Sequence, residues 1–415
     1  MRIGGTETEE EPLCPTTGSK ETTMRTLDPL SVDRNVPAAV GTVLDELLGR
    51  RLDESSAAHR RFASDIGERV VTFTVRGGRR RRSQLLWWSM RACGGGPAES
   101  EATLRAAAAL ELIQTCALIH DDVMDGSVLR RGRPSVHAAV DRQYGTQNHR
   151  RPFGTFGGAA AVLAGDLALA WADDTFVEAL AKTPHARELS RVWRVMRTEM
   201  VAGQYLDLHT QATGSRSPGR AMRAAVLKTA RYSAAHPLAL GAILAGADRE
   251  VVRELRRAGL CAGIAFQLHD DLLGAFGDPA VTGKPAGEDL REGKATYLVA
   301  VARSIVIRKG DKEALRLLDD VVGSIDAAED EVARVLDLLI TSGARDRVAA
   351  RIERLCSRSM ALLSSGPLST RATGHIGRLL LESCGFTDAT PRTRTAVHRA
   401  DRCVGIPTSA IGGVR

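Results

Sequence analysis

From about Val36 onward, apolar residues recur at steps of three and four. Ala39, Val43, Leu44, Leu47 and Leu48 fall on one helical face. The stretch 100–125 contains no Gly or Pro and is rich in Ala, Leu and Ile, which predicts a long helix. A shorter apolar helix is expected from Leu85 to Cys93, and further helices over 159–182, 187–210, 219–246, 249–275, 295–308, 311–323, 327–342, 344–364 and 369–384. Gly, Pro or Arg interrupt the period at Gly77–Gly78, Gly94–Pro97, Gly126–Pro134, 142–158, Gly214–Pro218 and Gly277–Gly293, which are read as turns and loops. No alternating pattern of useful length and no fixed repeat appears. The expectation is an all-α fold, one large helical bundle over residues 36–386. Residues 1–35 are polar and 387–415 basic, both without apolar period, and are expected to be flexible tails.

Composition adds little to this picture, with 43% hydrophobic residues among 415. Charge adds more. A formal net charge of +7 points to an anionic partner, which could be nucleic acid, a membrane surface or a phosphorylated substrate. Arg79–Arg82 form a basic run without interleaved aromatics or a nucleic-acid-binding motif, so nucleic acid is not expected. The seven cysteines are scattered and show no C-x-x-C spacing, which argues against a disulfide framework or a zinc site and for a cytoplasmic setting. No run of 18 uninterrupted apolar residues suggests a transmembrane segment.

Candidate chemistry lies in two aspartate clusters. His120-Asp121-Asp122-Val123-Met124-Asp125 ends the long helix, and residues four apart share a helical face, so Asp121 and Asp125 are stacked. Stacked like charges repel, and a helix C-terminus disfavours further negative charge, so a cation must offset them. Mg²⁺ takes oxygen ligands, commonly one or two carboxylates plus substrate phosphates. A solvated acidic helix end is the plainer alternative; the apolar turns before it weigh against that. His269-Asp270-Asp271 repeats the pattern at the end of another apolar stretch. There the position stacked on Asp270 is Gly274. Asp278 follows in the loop, and Lys284, Asp289 and Lys294 lie further on. Two such sets facing each other in a bundle core could grip one diphosphate from both sides.

The segments LIHDDVMDGSVLRRGRPSVH (118–137) and FQLHDDLLGAFGDPAVTGKPAGEDLREGKAT (266–296) resemble the two aspartate-rich motifs of trans-isoprenyl diphosphate synthases. Gly77-Gly78-Arg79-Arg80-Arg81-Arg82 resembles that family's GGKRxRP motif, Gly203–Asp207 its GQxxD motif and Lys228-Thr229 its KT motif, in the family's order over about residues 40–385. The resemblance implies the isoprenoid synthase fold with a central cavity, Mg²⁺, isopentenyl diphosphate and allylic diphosphates as substrates, and a homodimer. It implies that Asp121, Asp125 and Asp270 hold Mg²⁺ on the allylic diphosphate, with Asp122 and Asp271 in support. Arg130, Lys228 and Lys294 would contact that diphosphate, with Lys284, Gln204 and Asp207 nearby. Arg79, Arg82, Gln114 and Arg131 would hold isopentenyl diphosphate. Thr229 and Gln267 would help stabilise an allylic cation. Three departures stand out: Arg79 replaces Lys, Ser83 replaces Pro, and Gly274 replaces the last Asp of the second motif.

In this family the product grows down a tunnel beside the first-motif helix, and large aromatics four or five residues before the first Asp stop growth early. Here those positions are Ala117 and Cys116, about 6–7.5 Å deeper than Asp121 along the helix. Ile113 lies deeper still. Small residues there imply geranylgeranyl diphosphate, with farnesyl or longer products as alternatives. Trp87 and Trp88 are read as core packing or as a tunnel floor. A class I terpene cyclase and a non-catalytic subunit of a two-chain synthase are the competing readings. The first would need a different second metal motif, and the second could have lost its aspartates.

Overall fold

The protein is described by a computed structural model covering residues 28–146, 154–214, 217–278, 286–294 and 296–386. Helix follows helix: α1 (Pro29–Arg34), α2 (Val36–Ala58), α3 (Arg60–Phe62), a π turn (Ala63–Gly67), α4 (Glu68–Val75), α5 (Arg81–Ala92), α6 (Pro97–Met124), α7 (Val136–Tyr144), α8 (Phe156–Leu180) and α9 (Ala186–Ala212). The second half runs α10 (Pro218–Ala225), a π-helix (Val226–Ala235), α11 (His236–Leu244), α12 (Arg249–Phe276), α13 (Glu288–Arg291), α14 (Tyr297–Lys309), α15 (Lys312–Val321), α16 (Glu329–Thr341), α17 (Ala344–Ser364) and α18 (Thr370–Ser383). This is the all-α bundle that the apolar period predicts.

Local chemistry explains several boundaries. Pro97 starts α6 where no backbone donor is needed, and Glu99 accepts from the Gly96 N–H at 2.7 Å. Thr155 and Thr296 cap α8 and α14 through their hydroxyls. Long-range packing then takes over. α6 is buried by α8 on one side and by α5 on another. α12 joins two apolar cores. Its Leu255, Ala258 and Ala262 belong to the core built on α2, α5, α6, α8 and α9. Its Ala265, Leu268 and Leu272 belong to the core built on α14–α17.

Four features differ from the sequence expectation. The packed chain begins before residue 36: Val32 is buried, and Asp33 accepts hydrogen bonds from Trp87 Nε1 (2.8 Å) and Arg91. Residues 1–27 and 387–415 lie outside the described residues. Residues 136–144 form α7, which overlaps the start of the loop expected over 142–158, with Val136, Val140 and Asp141 burying one face. The turn 126–134 contains a small antiparallel hairpin, Leu129–Arg130 with Arg133–Pro134. The helix expected over 219–246 is interrupted by the ten-residue π segment, whose widened register leaves no mark in apolar spacing.

By length and composition alone, α6 and α8 could each cross a membrane. Protein covers 78% of the apolar window of α6, which makes it a core helix, against 44% for α8. Trp87 is fully buried and Trp88 stacks on His375 at 3.9 Å, so both tryptophans serve core packing.

Asp33→Ala would strand the buried Trp87 N–H. It is expected to lower unfolding free energy by about 1–3 kcal/mol, measured as a shift in urea midpoint at unchanged m-value.

Candidate active site

The end of α6 carries Asp121 and Asp122, with Asp125 as its C-cap. The three carboxylates diverge. Asp122 is buried and receives the Arg130 Nε at 2.8 Å and its Nη2, while its second oxygen has no partner. Burial raises the Asp122 carboxyl above its usual range despite the opposing pull of Arg130. Asp121 faces the cleft. It accepts from Gln204 (3.2 Å) and Lys228 Nζ (3.2 Å), and lies 3.5 Å from Arg130 Nη2. Asp125 is open to the cleft, and its carboxyl is raised by the surrounding protein and by Asp121.

Lys228 reaches Asp121 because the π segment lies hard against α9. A Cβ on Gly203 would stand 2.2 Å from the Lys228 backbone nitrogen, so only glycine allows this approach. Lys228 also donates to Asp207 at 2.8 Å. Burial lowers its affinity for the proton, but Asp207 and Asp121 outweigh that and lift it above the ordinary lysine value.

The second set comes from α12. Asp271 is buried, accepting from Gln267 Nε2 (3.0 Å) and from the Tyr297 N–H (3.2 Å). Burial drives its carboxyl up to about 7. Asp270 opens onto the cleft, but the walls around it displace enough water to raise its carboxyl, and Asp289 adds to the rise. Lys294 donates to Asp289 at 2.8 Å and to Glu292 at 2.9 Å.

Asp121, Asp125, Asp207, Lys228, Thr229, Gln267, Asp270, Asp271, Asp289, Arg130 and Lys294 line one cavity of about 300 Å³. A second cavity of about 300 Å³ holds Arg79, Arg80, Arg81, Arg82, Gln114 and Arg131, with Glu111 as the sole carboxylate among its described lining residues. The hairpin borders both. Its central residues, Arg131 and Gly132, both have positive φ (54° and 72°), the pattern of a type I′ turn, and Arg130 and Arg131 serve different cavities.

Asp121, Asp125, Arg130, Lys228, Thr229, Gln267, Asp270 and Lys294 thus share one cavity, Arg79, Arg82, Gln114 and Arg131 share the other, and Gln204 reaches Asp121, whereas Asp122, Ile113, Cys116 and Ala117 are in neither lining. Lys284 lies outside the described residues. Asp278 does not line the cavity, whereas Asp289 does. Asp122 and Asp271 are spent on Arg130, Gln267 and the Tyr297 backbone. Ala117 is half-buried on the stripe shared with Gln114, Leu118 and Asp121, while Cys116 and Ile113 are buried one face round.

Two neighbours, Tyr232 and Glu111, were not singled out from sequence. The Tyr232 hydroxyl donates to Gln114 Oε1 at 2.9 Å, and the Arg82 guanidinium lies over the Tyr232 ring at 4.4 Å. Ser83, in place of the motif proline, is buried and reaches Glu111 Oε1 at 2.6 Å and the Ala107 carbonyl at 3.0 Å. Glu111 was visible in principle, as a charge within an apolar helix three residues before Gln114. Tyr232 was not, because its contacts join residues more than a hundred positions apart.

No three His, Cys, Asp or Glu side chains converge on one point among the described residues. The donor set still suits Mg²⁺: cleft-facing carboxylates from two helices, few enough that substrate oxygens must complete the shell.

A polyprenyl synthetase family model matches residues 65–339. The geranylfarnesyl diphosphate synthase of Aeropyrum pernix is 32% identical over 309 residues, covering 74% of this chain and 89% of that one. A farnesyl diphosphate synthase of Mycobacterium tuberculosis is 32% identical over 283 residues, covering 68% and 72%. A geranylgeranyl pyrophosphate synthase from Corynebacterium glutamicum, solved in complex with isoprenyl diphosphate and magnesium, superposes with a TM-score of 0.75 at 35% identity, covering 83% of this chain and 98% of that one.

Between the ordinary aspartate value of about 3.9 and about 7, the folded chain keeps the Asp271 proton and the unfolded chain does not. That contribution is complete at low pH and is lost as pH rises, at about 1.4 kcal/mol per pH unit, until the folded value is passed. Asp271→Asn is expected to remove this slope, read as the wild-type-minus-variant difference in urea midpoint from pH 4.5 to pH 8.

Proposed function

Since the chain belongs to the polyprenyl synthetase family and is a trans-prenyltransferase of isoprenoid synthase fold, we propose that it condenses isopentenyl diphosphate with an allylic diphosphate, head to tail, to give geranylgeranyl diphosphate. One observation carries the assignment of substrates to sites. Two cavities, one mixing carboxylates with ammonium groups and one lined by arginines, share walls at Arg130–Arg131 of the hairpin and at Phe266–Gln267 of α12.

The allylic diphosphate belongs in the carboxylate cavity. Asp121, Asp125 and Asp270 would hold Mg²⁺ there, and the bound ions would supply the charge neutralisation that makes diphosphate a good leaving group. Lys228, Lys294 and Arg130 would bind the same diphosphate. Lys228 is already charged and oriented by Asp121 and Asp207. Asp122 acts through Arg130 and Asp271 through Gln267, as positioning residues. In the second cavity Arg79, Arg82, Arg131 and Gln114 would hold isopentenyl diphosphate. The allylic C–O bond breaks with its electron pair leaving on diphosphate. The isopentenyl double bond then attacks the allylic cation, and a proton passes to the departing diphosphate. Gln267 and the Thr229 hydroxyl present oxygen to the cation, and the Phe266 and Leu85 side chains help keep water away.

Relatives with different product lengths match at similar identity, so length rests on this chain's own residues. Ala117, small and half-buried, lies on the stripe below Asp121, which supports a product longer than farnesyl. α8 supports a homodimer: Val162, Leu163 and Val177 are 43%, 59% and 63% exposed on a helix that is apolar nearly all round. The five cysteines among the described residues are free thiols, which supports a cytoplasmic setting.

With isopentenyl diphosphate, Mg²⁺ and dimethylallyl, geranyl or farnesyl primer, product mass should be that of geranylgeranyl diphosphate, and EDTA should abolish turnover. Ala117→Phe or Cys116→Phe should shorten the product. An unchanged product mass in both would refute the tunnel assignment. Light scattering should give twice the chain mass, falling toward the single-chain mass in Leu163→Glu.

A further inference from the structure

The second aspartate set lacks a carboxylate at position 274, and the structure shows what occupies that space. A Cβ built on Gly274 would stand 2.1 Å from Asp289 Oδ2 and 3.1 Å from its Cγ. The Asp289 carboxylate therefore fills the volume into which a side chain at 274 would begin to grow. The backbone holds the two positions together. The Gly287 N–H donates to the Gly274 carbonyl at 3.2 Å, and the Lys294 N–H donates to the Asp289 carbonyl at 3.0 Å. Asp289 lines the same cavity as Asp270.

We propose that Asp289 is the third carboxylate of the second metal-holding set, reaching in from α13 to the place where an aspartate on α12 would otherwise stand. The inference rests on the Mg²⁺-dependent diphosphate chemistry proposed above. Gly274 is then a requirement of the arrangement rather than a defect, because one carboxylate fits there and not two. Lys294, paired with Asp289 through Oδ1 at 2.8 Å, holds the carboxylate in the cavity that it shares with Asp270. Coming from a different element, this carboxylate depends on the 286–294 segment being seated on α12, so metal binding and the seating of that segment are linked.

The geometry allows an exchange of carboxylates. With Asp289→Ala, the nearest remaining atom to a Cβ at 274 is the residue 289 Cβ, at 3.8 Å, an ordinary contact. The test is calorimetric titration of inorganic diphosphate into the full-length protein at a series of Mg²⁺ concentrations. Four variants are compared: Asp289→Ala, Asp289→Asn, Gly274→Asp and the double Gly274→Asp/Asp289→Ala, with thermal unfolding as a folding control. Asp289→Ala and Asp289→Asn should each raise the Mg²⁺ concentration for half-maximal diphosphate binding by about 10- to 100-fold. Asn keeps an oxygen for Lys294, so a loss there isolates the charge. Gly274→Asp alone should also weaken binding or lower the melting temperature. The double variant should recover Mg²⁺ dependence to within about threefold of wild type, by the non-additivity expected of two residues sharing one space.

Asp289→Asn at wild-type Mg²⁺ dependence overturns the proposal, as does a folded double variant no better than Asp289→Ala. Asp289 would then serve only to hold Lys294. Wild-type diphosphate binding that ignores Mg²⁺ would overturn the parent reading, and this one with it.

Discussion

Lys228 stands between carboxylates from two helices, 3.2 Å from Asp121 on α6 and 2.8 Å from Asp207 on α9. Without that ammonium, α6 would end in two stacked cleft-facing aspartates at the negative end of its own dipole, with a third carboxylate from α9 close by. Two of the three carboxylates at the end of α6 have a cation in contact, and Asp125 is left open to the cleft. Lys228 serves Asp121 and Asp207, and Arg130 serves Asp122. The cleft therefore holds its charges in place before any substrate arrives, which is the condition for electrostatic preorganisation.

The two aspartate pairs share a division of labour. In each, one carboxylate opens onto the cleft and its neighbour is buried against the scaffold. Asp121 and Asp270 face the cavity, while Asp122 and Asp271 lock a side chain or the next segment of backbone. Consecutive helical residues point about 100° apart, so a DD pair at the rim of an apolar helix supplies both functions from one turn. The buried member must pay for its desolvation, and its raised proton affinity in both pairs is the sign of that cost.

The apolar period located most long helices to within a few residues, because helices that bury one face against a core must carry the pattern. The motif residues were equally legible, since each set lies within a few positions along the chain. What stayed hidden depends on neighbours distant in sequence or on backbone register. The π segment has ordinary composition. The buried α1 gains its place through Asp33, Trp87 and Arg91, about sixty residues apart. The buried face of α7 includes the polar Asp141, which breaks its apolar spacing. Gly274 read as a missing carboxylate because its occupant, Asp289, comes from fifteen residues further along.

Gly203 touches no reacting group and carries no charge, yet the Lys228 backbone nitrogen lies where its first side-chain atom would be. Even a methyl group there would push the π segment away from α9 and take the ammonium with it. Tolerance to mutation in this protein therefore does not follow distance from the chemistry. A position with no functional group can be less replaceable than many that line the cleft, because its contribution is an absence of atoms.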